Sequence, residues 1–210
     1  MKILALSDEE DSLVYSPRIR ERYSEVDLII SCGDLPLDYL EYVISMLDKP
    51  AYFVLGNHVH HIYGKDGERR TFPEGAQNLH VQCRRSPQGL LLAGIEGSLR
   101  YNPGHYQYTQ SEMWMHVLRL VPGLMLNRLR FGRYLDVFVT HAPSWGIQDR
   151  QDLPHHGIRA FRWLLHVFKP KIHIHGHVHL YRRDEPYRTC FEATQVINAF
   201  GCRVLDVNLP

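Results

Sequence analysis

Histidine side chains are frequent in this chain and occur in clusters. The sequence has 14 histidines among 210 residues. Seven of them form two groups, which are His58, His60 and His61, and then His173, His175, His177 and His179. Imidazole is the commonest metal ligand in proteins and the usual acid or base near neutral pH. The two groups therefore predict a site that binds metal ions or transfers protons.

Carboxylate, amide and imidazole side chains recur in short motifs, most of which contain glycine. The motifs are Asp8, Gly33-Asp34, Gly56-Asn57-His58, His141 and Gly176-His177-Val178-His179. Glycine permits tight turns and close approach of the backbone, so it suits positions beside a bound ligand. Oxygen and nitrogen donors of these types form a mixed set that suits Mn²⁺, Fe or Zn²⁺. The motifs thus predict a transition-metal site.

Each motif follows a short apolar run that predicts a buried strand. The five runs are Lys2–Ser7, Asp27–Ser31, Ala51–Leu55, Leu135–Thr140 and Lys171–His175. Helical spacing of apolar residues between Tyr39 and Leu47, and again over Ile158–Phe168, predicts helices between some of these strands. This alternation predicts an α/β fold whose ligand site lies outside the carboxyl ends of its strands.

Each motif also has an ordinary structural explanation when it is taken alone. A Gly-Asp pair after a strand is usually a turn, and Asn57-His58 could belong to a solvated loop. The histidines from His173 to His179 alternate at strand period, so they could line an exposed strand face. The metal-site interpretation is preferred because all five motifs occur in order at the same end of a predicted strand.

The remaining segments are expected to complete one domain over 1–210. The expected elements are strands at Leu79–Val81 and Leu90–Ile95, loops at 59–75 and 97–108, and a closing hairpin of Gln195–Asn198 with Arg203–Val207 around Gly201. Thr109 and Glu112 have the spacing of a capping box that starts a helix. Pro122 should kink or end that helix.

Together the motifs resemble those of the calcineurin-like metallophosphoesterase superfamily. Its pattern is D-x-H, then G-D, then G-N-H followed by an acid, then a single His, and then G-H-x-H. The order and spacing match over nearly the whole chain. The resemblance implies an α/β fold in which two mixed β-sheets pack as a sandwich flanked by helices. It identifies a superfamily and leaves the substrate open.

The resemblance also implies a role for each motif residue. Asp8 and His179 would hold one metal ion, and Asn57, His141 and His177 would hold the other. Asp34 would bridge both ions. His58 would lie beside the metals without binding them and act as the catalytic proton donor. The implied cofactors are two divalent metal ions.

Two residues depart from the family pattern. Glu10 stands where the family has a ligand histidine, and Val59 stands where it usually has an acid. If Glu10 binds the first metal, its hard oxygen favours Mn²⁺ or Fe²⁺, with Zn²⁺ still possible. The alternative is that Glu10 points to solvent. Leu37 replaces an Asp of the phosphoprotein-phosphatase branch, so the chain is not expected to be a Ser/Thr protein phosphatase of that branch.

The expected activity is hydrolysis of a small phosphoester, a phosphomonoester or a phosphodiester, by a metal-activated water. Arg69, Arg70 and Arg100 lie in expected loops and could bind the rest of the substrate. The main alternative is a metallophosphoesterase-like scaffold that binds a partner protein and is catalytically impaired, which Glu10 and Val59 favour. Retention of His58 argues against it, because a scaffold needs no proton donor.

The composition is that of an ordinary globular protein. Hydrophobic residues make up 44%, charged residues 22%, and the formal net charge is +1. The near-zero charge gives no electrostatic case for a nucleic-acid polymer or a membrane partner. The four cysteines are scattered, no stretch is long enough for a membrane span, and the N-terminus does not read as a secretory signal. The expected location is the cytoplasm, and the oligomeric state is left open.

Overall fold

Two mixed β-sheets packed face to face form the centre of the molecule. The computed structural model describes residues 1–58, 62–63, 67, 69–182 and 184–207. The strands are β1 (Lys2–Ser7), β2 (Leu28–Ser31), β3 (Ala51–Phe53), β4 (Ile62–Tyr63), β5 (Arg69–Arg70), β6 (Ala76–Asn78), β7 (Gln82–Arg85), β8 (Leu91–Ile95), β9 (Ser98–Leu99), β10 (Gln107–Tyr108), β11 (Val137–Thr140), β12 (Ile172–His175), β13 (Arg188–Phe191), β14 (Thr194–Asn198) and β15 (Gly201–Asp206). The helices are α1 (Ile19–Arg22), α2 (Leu37–Leu47), α3 (Gln110–Phe131) and α4 (Arg159–Phe168).

The larger sheets contain five and six strands. Their strand orders are β15-β1-β2-β3-β6 and β13-β14-β12-β11-β8-β7. Strands β1, β2, β3 and β6 are parallel to one another, as are β8, β11, β12 and β14. The antiparallel strands β15, β13 and β7 occupy three of the four edges. The inner faces meet in a core that includes Ile3, Ile30, Val139 and Ile174. Burial on both faces explains why these strands read as continuous apolar runs.

Helices cover the outer faces of both sheets and complete four layers. Leu40 and Val43 of α2 pack with Leu4 and Ile29 of the five-stranded sheet. Helices α3 and α4 cover the six-stranded sheet in the same way. The expected sandwich of two mixed sheets flanked by helices is confirmed. Within the described residues, no helix is both long and apolar enough to cross a membrane.

The last two strands do not form the expected hairpin. Strand β14 lies between β12 and β13 in the six-stranded sheet, whereas β15 pairs with β1 in the other sheet. The register of β15 runs from Lys2↔Asp206 to Ser7↔Gly201. Strand β1 would otherwise be a six-residue edge with unpaired backbone groups, and β15 satisfies them. The chain therefore crosses between sheets within the two residues Ala199 and Phe200.

The expected strand at Leu79–Val81 was also wrong, and Pro122 does not end its helix. Leu79–Val81 lies between β6 and β7, and the left-handed φ of 53° at Val81 is incompatible with a strand there. Helix α3 begins with the predicted capping box at Thr109 but continues through Pro122 to Phe131. Pro122 is exposed, so water can reach the carbonyl of Leu118 that the proline leaves without its helical hydrogen bond.

Candidate metal centre

The sequence motifs meet where strands of both large sheets end. Asp8 follows β1, Asp34 follows β2 and Asn57 follows β3, whereas His141 and His177 follow β11 and β12. The two sheets are joined at this edge by hydrogen bonds. The His177 amide donates to Asp8 Oδ2 at 2.9 Å, and His141 Nδ1 lies 2.8 Å from the Cys32 carbonyl. The site is thus built across both sheets.

Four of the motif residues form a compact cluster, here called the inner group: Asp34, Asn57, His141 and His177. His141 Nε2 lies 3.1 Å from Asp34 Oδ2, 3.0 Å from Asn57 Oδ1 and 3.1 Å from His177 Nδ1. Donor atoms of Asp34, His141 and His177 all lie within 4.8 Å of one another. The side chains are at most 8% exposed. The inner group therefore concentrates ligand atoms around one buried point.

Hydrogen bonds on the outer side of these side chains orient their remaining donor atoms toward that point. The Cys32 carbonyl accepts from His141 Nδ1, and the Pro154 carbonyl accepts from His177 Nε2 at 2.7 Å. A neutral imidazole carries one proton, so His141 Nε2 and His177 Nδ1 are then bare. Asn57 Nδ2 donates to the Tyr101 hydroxyl at 2.9 Å, which turns its Oδ1 inward.

Bare lone pairs about 3 Å apart repel each other unless a cation or a proton lies between them. Burial alone would lower the pKa of His141, but the negative charge of Asp34 raises it to about 9. Burial lowers the pKa of His177 to about 3, so this imidazole is neutral. A divalent cation would satisfy all four side chains at once. The donor set therefore fits a metal ion.

Asp8, Glu10 and His179, here called the outer group, are arranged more loosely. Asp8 is 2% exposed, and its Oδ1 has no hydrogen-bond partner among the described residues, an arrangement that itself suits a cation. His179 Nε2 lies 3.6 Å from that oxygen, and its side chain is 40% exposed. Glu10 is exposed, and its charge adds only a minor part to the raised pKa of Tyr39, which burial of that hydroxyl mainly causes. The structure brings Asp8 and His179 together and leaves Glu10 at the surface.

Three of the site residues have a backbone conformation that is unfavourable for side-chain-bearing residues. The φ angles are 64° at Asp8, 56° at Asp34 and 66° at His177. Such conformations cost of order 1–3 kcal/mol each and persist where the surrounding structure enforces them, often at functional sites. Here each turns a side chain from the end of a strand into the centre.

The glycines in the motifs are required by close packing. A Cβ atom on Gly56 would lie 1.9 Å from Asp34 Oδ1. On Gly176 it would lie 1.8 Å from Ser7 Oγ and 2.4 Å from Asp8 Oδ2. The expected close approach of the backbone at these positions is confirmed.

His58 contacts the inner group through its backbone. Its amide donates to Asp34 Oδ1 at 2.8 Å, while the residue is exposed. This hydrogen bond fixes the position of His58 beside the carboxylate without including its imidazole in the inner group. Val59, His60 and His61, which the sequence also singled out, lie outside the described residues.

Sequence reasoning missed the groups that orient the ligands. Backbone carbonyls such as those of Cys32 and Pro154 have no side-chain signature. Tyr101 lies in a loop held by the buried side chain of Gln107, whose Oε1 accepts from the Tyr101 amide at 3.1 Å. An aromatic hydroxyl in a polar loop was the one available signal, and its partner Asn57 is 44 residues away.

Two of the three arginines expected to reach substrate, Arg70 and Arg100, have other partners. Arg70 is paired with Glu41 and Arg100 with Glu112. Arg100 also donates to the Gln107 carbonyl at 3.2 Å. Both guanidinium groups therefore stabilise surrounding loops.

His173 and His175 are buried, so the alternative of an exposed histidine-lined face is wrong for these two residues. His173 Nε2 lies 2.8 Å from Thr140 Oγ1, and His175 Nε2 lies 2.8 Å from Gln148 Oε1. Burial lowers the pKa of His175 to about 4, and burial likewise holds the pKa of His173 well below its usual value. Both are neutral side chains that support the strand beneath His177.

Comparison with known proteins identifies the fold and the family of this chain. One solved crystal structure superposes with a TM-score of 0.66 at 17% identity, covering 98% of this chain and 94% of that one. The crystal structure of TT1561 of Thermus thermophilus superposes with a TM-score of 0.61 at 14% identity, covering 95% and 89%. These identities show a shared fold alone. No curated protein matches the chain. The model of the calcineurin-like phosphoesterase family matches residues 1–181, and the chain belongs to that family.

Proposed function

We propose that this protein hydrolyses small phosphoesters at a centre of two divalent metal ions. The observation that carries the proposal is the convergence of Asp34, Asn57 and His177 donor atoms on His141 Nε2 at 3.0–3.1 Å. A buried set of this kind is costly unless a cation occupies it. Family membership makes phosphoester chemistry the appropriate context for such a cation.

The proposed ligands divide between the inner and outer groups. Asn57, His141 and His177 would hold one ion, Asp8 and His179 the other, and Asp34 both, with Glu10 as a further ligand of the second. Carboxylate and amide oxygens favour Mn²⁺ or Fe²⁺ over Zn²⁺. When bound, such ions supply Lewis acidity that polarises a phosphoryl oxygen and acidifies water.

His58 is the proposed proton donor. Its backbone amide is fixed to Asp34 Oδ1, and the residue is exposed where a leaving group can approach. Protonated His58 would donate to the leaving oxygen as the ester bond breaks. A positioned general acid of this type typically contributes about 10²–10⁴ in rate.

A small substrate fits the charge distribution better than a polymer. The net charge is +1, and both Arg70 and Arg100 are already paired. Binding to a nucleic-acid polymer depends on clustered cations that neutralise several phosphates. The proposed substrates are therefore phosphomonoesters or small phosphodiesters.

The test combines metal analysis with a panel of substrates. Protein purified without chelator should carry one to two transition-metal ions per chain, by elemental analysis. With Mn²⁺ added, it should hydrolyse small phosphoesters. His58→Ala should lower turnover about a hundredfold or more for alkyl esters, and much less for p-nitrophenyl esters, whose leaving group needs no proton.

The matched control is His105→Ala, which removes an exposed histidine from a neighbouring loop and should change nothing. Protein that binds metal but turns over no phosphoester would support the scaffold alternative. Absence of both metal and any thermal shift with Mn²⁺ would remove the basis of the proposal.

A further inference from the structure

Helix α3 has apolar side chains on the face that points away from the core. Its buried face comprises Met113, His116, Val117, Leu120 and Leu124. The opposite face carries the outer stripe, defined as Met115, Leu118, Pro122, Leu126 and Leu129, all exposed. Leu118 is 52% and Leu129 is 82% exposed. A surface helix is normally polar on this side, and a contiguous exposed apolar patch marks an interaction surface.

The spacing of the outer stripe is the same in both directions. Successive members are three, four, four and three residues apart, so the pattern is symmetric about Pro122. Two antiparallel copies of α3 related by a two-fold axis through Pro122 place Met115 opposite Leu129 of the second copy. The same axis places Leu118 opposite Leu126. A self-complementary surface of this kind is what a two-fold dimer requires.

Charges beside the outer stripe are complementary in the same arrangement. Glu112 and Arg130 lie on the same flank of the stripe, because a helix turns by about 100° per residue and the two are a whole number of turns apart. Their distances from Pro122 are ten and eight residues in opposite directions. The antiparallel copy therefore brings Glu112 close to Arg130 of the second copy at both ends. Arg130 has no ion pair among the described residues, whereas Glu112 also pairs with Arg100 of its own chain. Exposed pairs contribute little affinity, but they select orientation.

We propose that the outer stripe of α3 is the interface of a homodimer. The stripe spans roughly 21 Å at 1.5 Å per residue, which suits nearly antiparallel helix packing. The helix dipoles then oppose each other, which is also favourable. A second copy is the occupant because both the apolar spacing and the flanking charges are symmetric about one residue. No residue of the inner or outer group belongs to the stripe.

Sedimentation velocity over a range of protein concentrations tests the oligomeric state. The wild-type chain should be a dimer at micromolar concentration. Leu118→Glu should raise the dissociation constant about a hundredfold or more, because the two-fold axis buries two unpaired carboxylates in the interface. Val167→Glu on α4 is the matched control, since Val167 is 42% exposed on another helix. It should leave the dimer unchanged.

Disulfide trapping tests the register in a Cys190→Ser background, which removes the exposed native cysteine. Pro122→Cys lies on the axis and should crosslink to itself. Met115→Cys should not crosslink alone, since its copies are roughly 20 Å apart. It should crosslink when mixed with Leu129→Cys. A monomeric wild type, a dimer that Leu118→Glu does not disperse, or self-crosslinking of Met115→Cys would each overturn the proposal. Far-ultraviolet circular dichroism of each variant checks that it is folded.

Discussion

The inner and outer groups of the candidate metal centre differ in how the fold holds them. The two histidines of the inner group are hydrogen-bonded to backbone carbonyls, those of Cys32 and Pro154. His179 of the outer group is hydrogen-bonded to the hydroxyl of Tyr181, a residue that is 77% exposed. The Cys32 carbonyl directly follows β2 and is fixed by the sheet, and both histidines are buried, whereas the exposed side chain of Tyr181 is free to change rotamer. The inner group is therefore preorganised, and the outer group is only partly so.

This difference has a consequence for metal binding. Preorganised ligands lose little conformational entropy when an ion binds, whereas an exposed histidine must first be immobilised. We therefore expect the ion held by the inner group, here called the inner ion, to bind more tightly than the ion held by the outer group, here called the outer ion. Substitutions in each group test that inequality, from the largest expected effect to the smallest.

Asp34 belongs to the inner group but is the residue proposed to serve both ions. Asp34→Asn should abolish binding of the outer ion, weaken the inner ion and lower turnover by at least about a thousandfold, since metal charge stabilisation contributes several kcal/mol. The metal-free variant should be less stable than wild type at neutral pH. Burial raises the pKa of Asp34, but the charge and hydrogen bond of His141 lower it overall, so the ionised carboxylate stabilises the folded state. Elemental analysis and thermal denaturation with and without Mn²⁺ provide the measurements. A variant that keeps two ions would show that Asp34 is not the bridge.

One tyrosine is hydrogen-bonded to a residue of each group, so the same substitution can be made beside both. Tyr101→Phe removes the hydroxyl that orients the Asn57 amide and should weaken the inner ion about tenfold, the lower end for supporting residues of metal ligands. Tyr181→Phe removes the partner of His179 and should weaken the outer ion only about threefold, since an exposed hydrogen bond competes with water.

Titration with Mn²⁺ by calorimetry resolves the two steps. Tyr101→Phe should change only the binding of the inner ion, and Tyr181→Phe only that of the outer ion. A general loss of stability would change both. Equal losses for both tyrosines, or a loss of both steps in either variant, would contradict the proposed difference between the groups.

The fold and the inner group were predictable for the same reason. Buried parallel strands read as continuous apolar runs, and the polar residue that follows each run must lie at the shared carboxyl edge. Asp34, Asn57, His141 and His177 each occupy such a position. Side-chain type and strand order were therefore sufficient to place them at one edge, whereas their division between two metal ions rested on the family resemblance.

Other features depend on contacts that the local sequence does not encode. Strand β15 has a hairpin-like pattern after β14, but its pairing is decided by the free edge of β1 nearly 200 residues earlier. The orientation of His141 depends on the Cys32 carbonyl, which every residue type would present equally. Whether Glu10 faces a metal depends on a loop path rather than on a strand end.

Glu10 provides the smallest predicted effect and the closest test of the outer group. It replaces a histidine of the family pattern, and it is exposed rather than buried with Asp8. A solvated carboxylate acts weakly, so Glu10→Ala should lower affinity for the outer ion only about twofold, comparable to an exposed ion pair. Glu10→His should restore affinity while shifting the preference from Mn²⁺ toward Zn²⁺, because imidazole is the softer ligand. Competition titrations with the two metals compare wild type and both variants, and the inner step serves as the internal control. If the outer ion shows the same metal preference in all three proteins, Glu10 remains in solvent and the outer ion is held by Asp8, Asp34 and His179 without it.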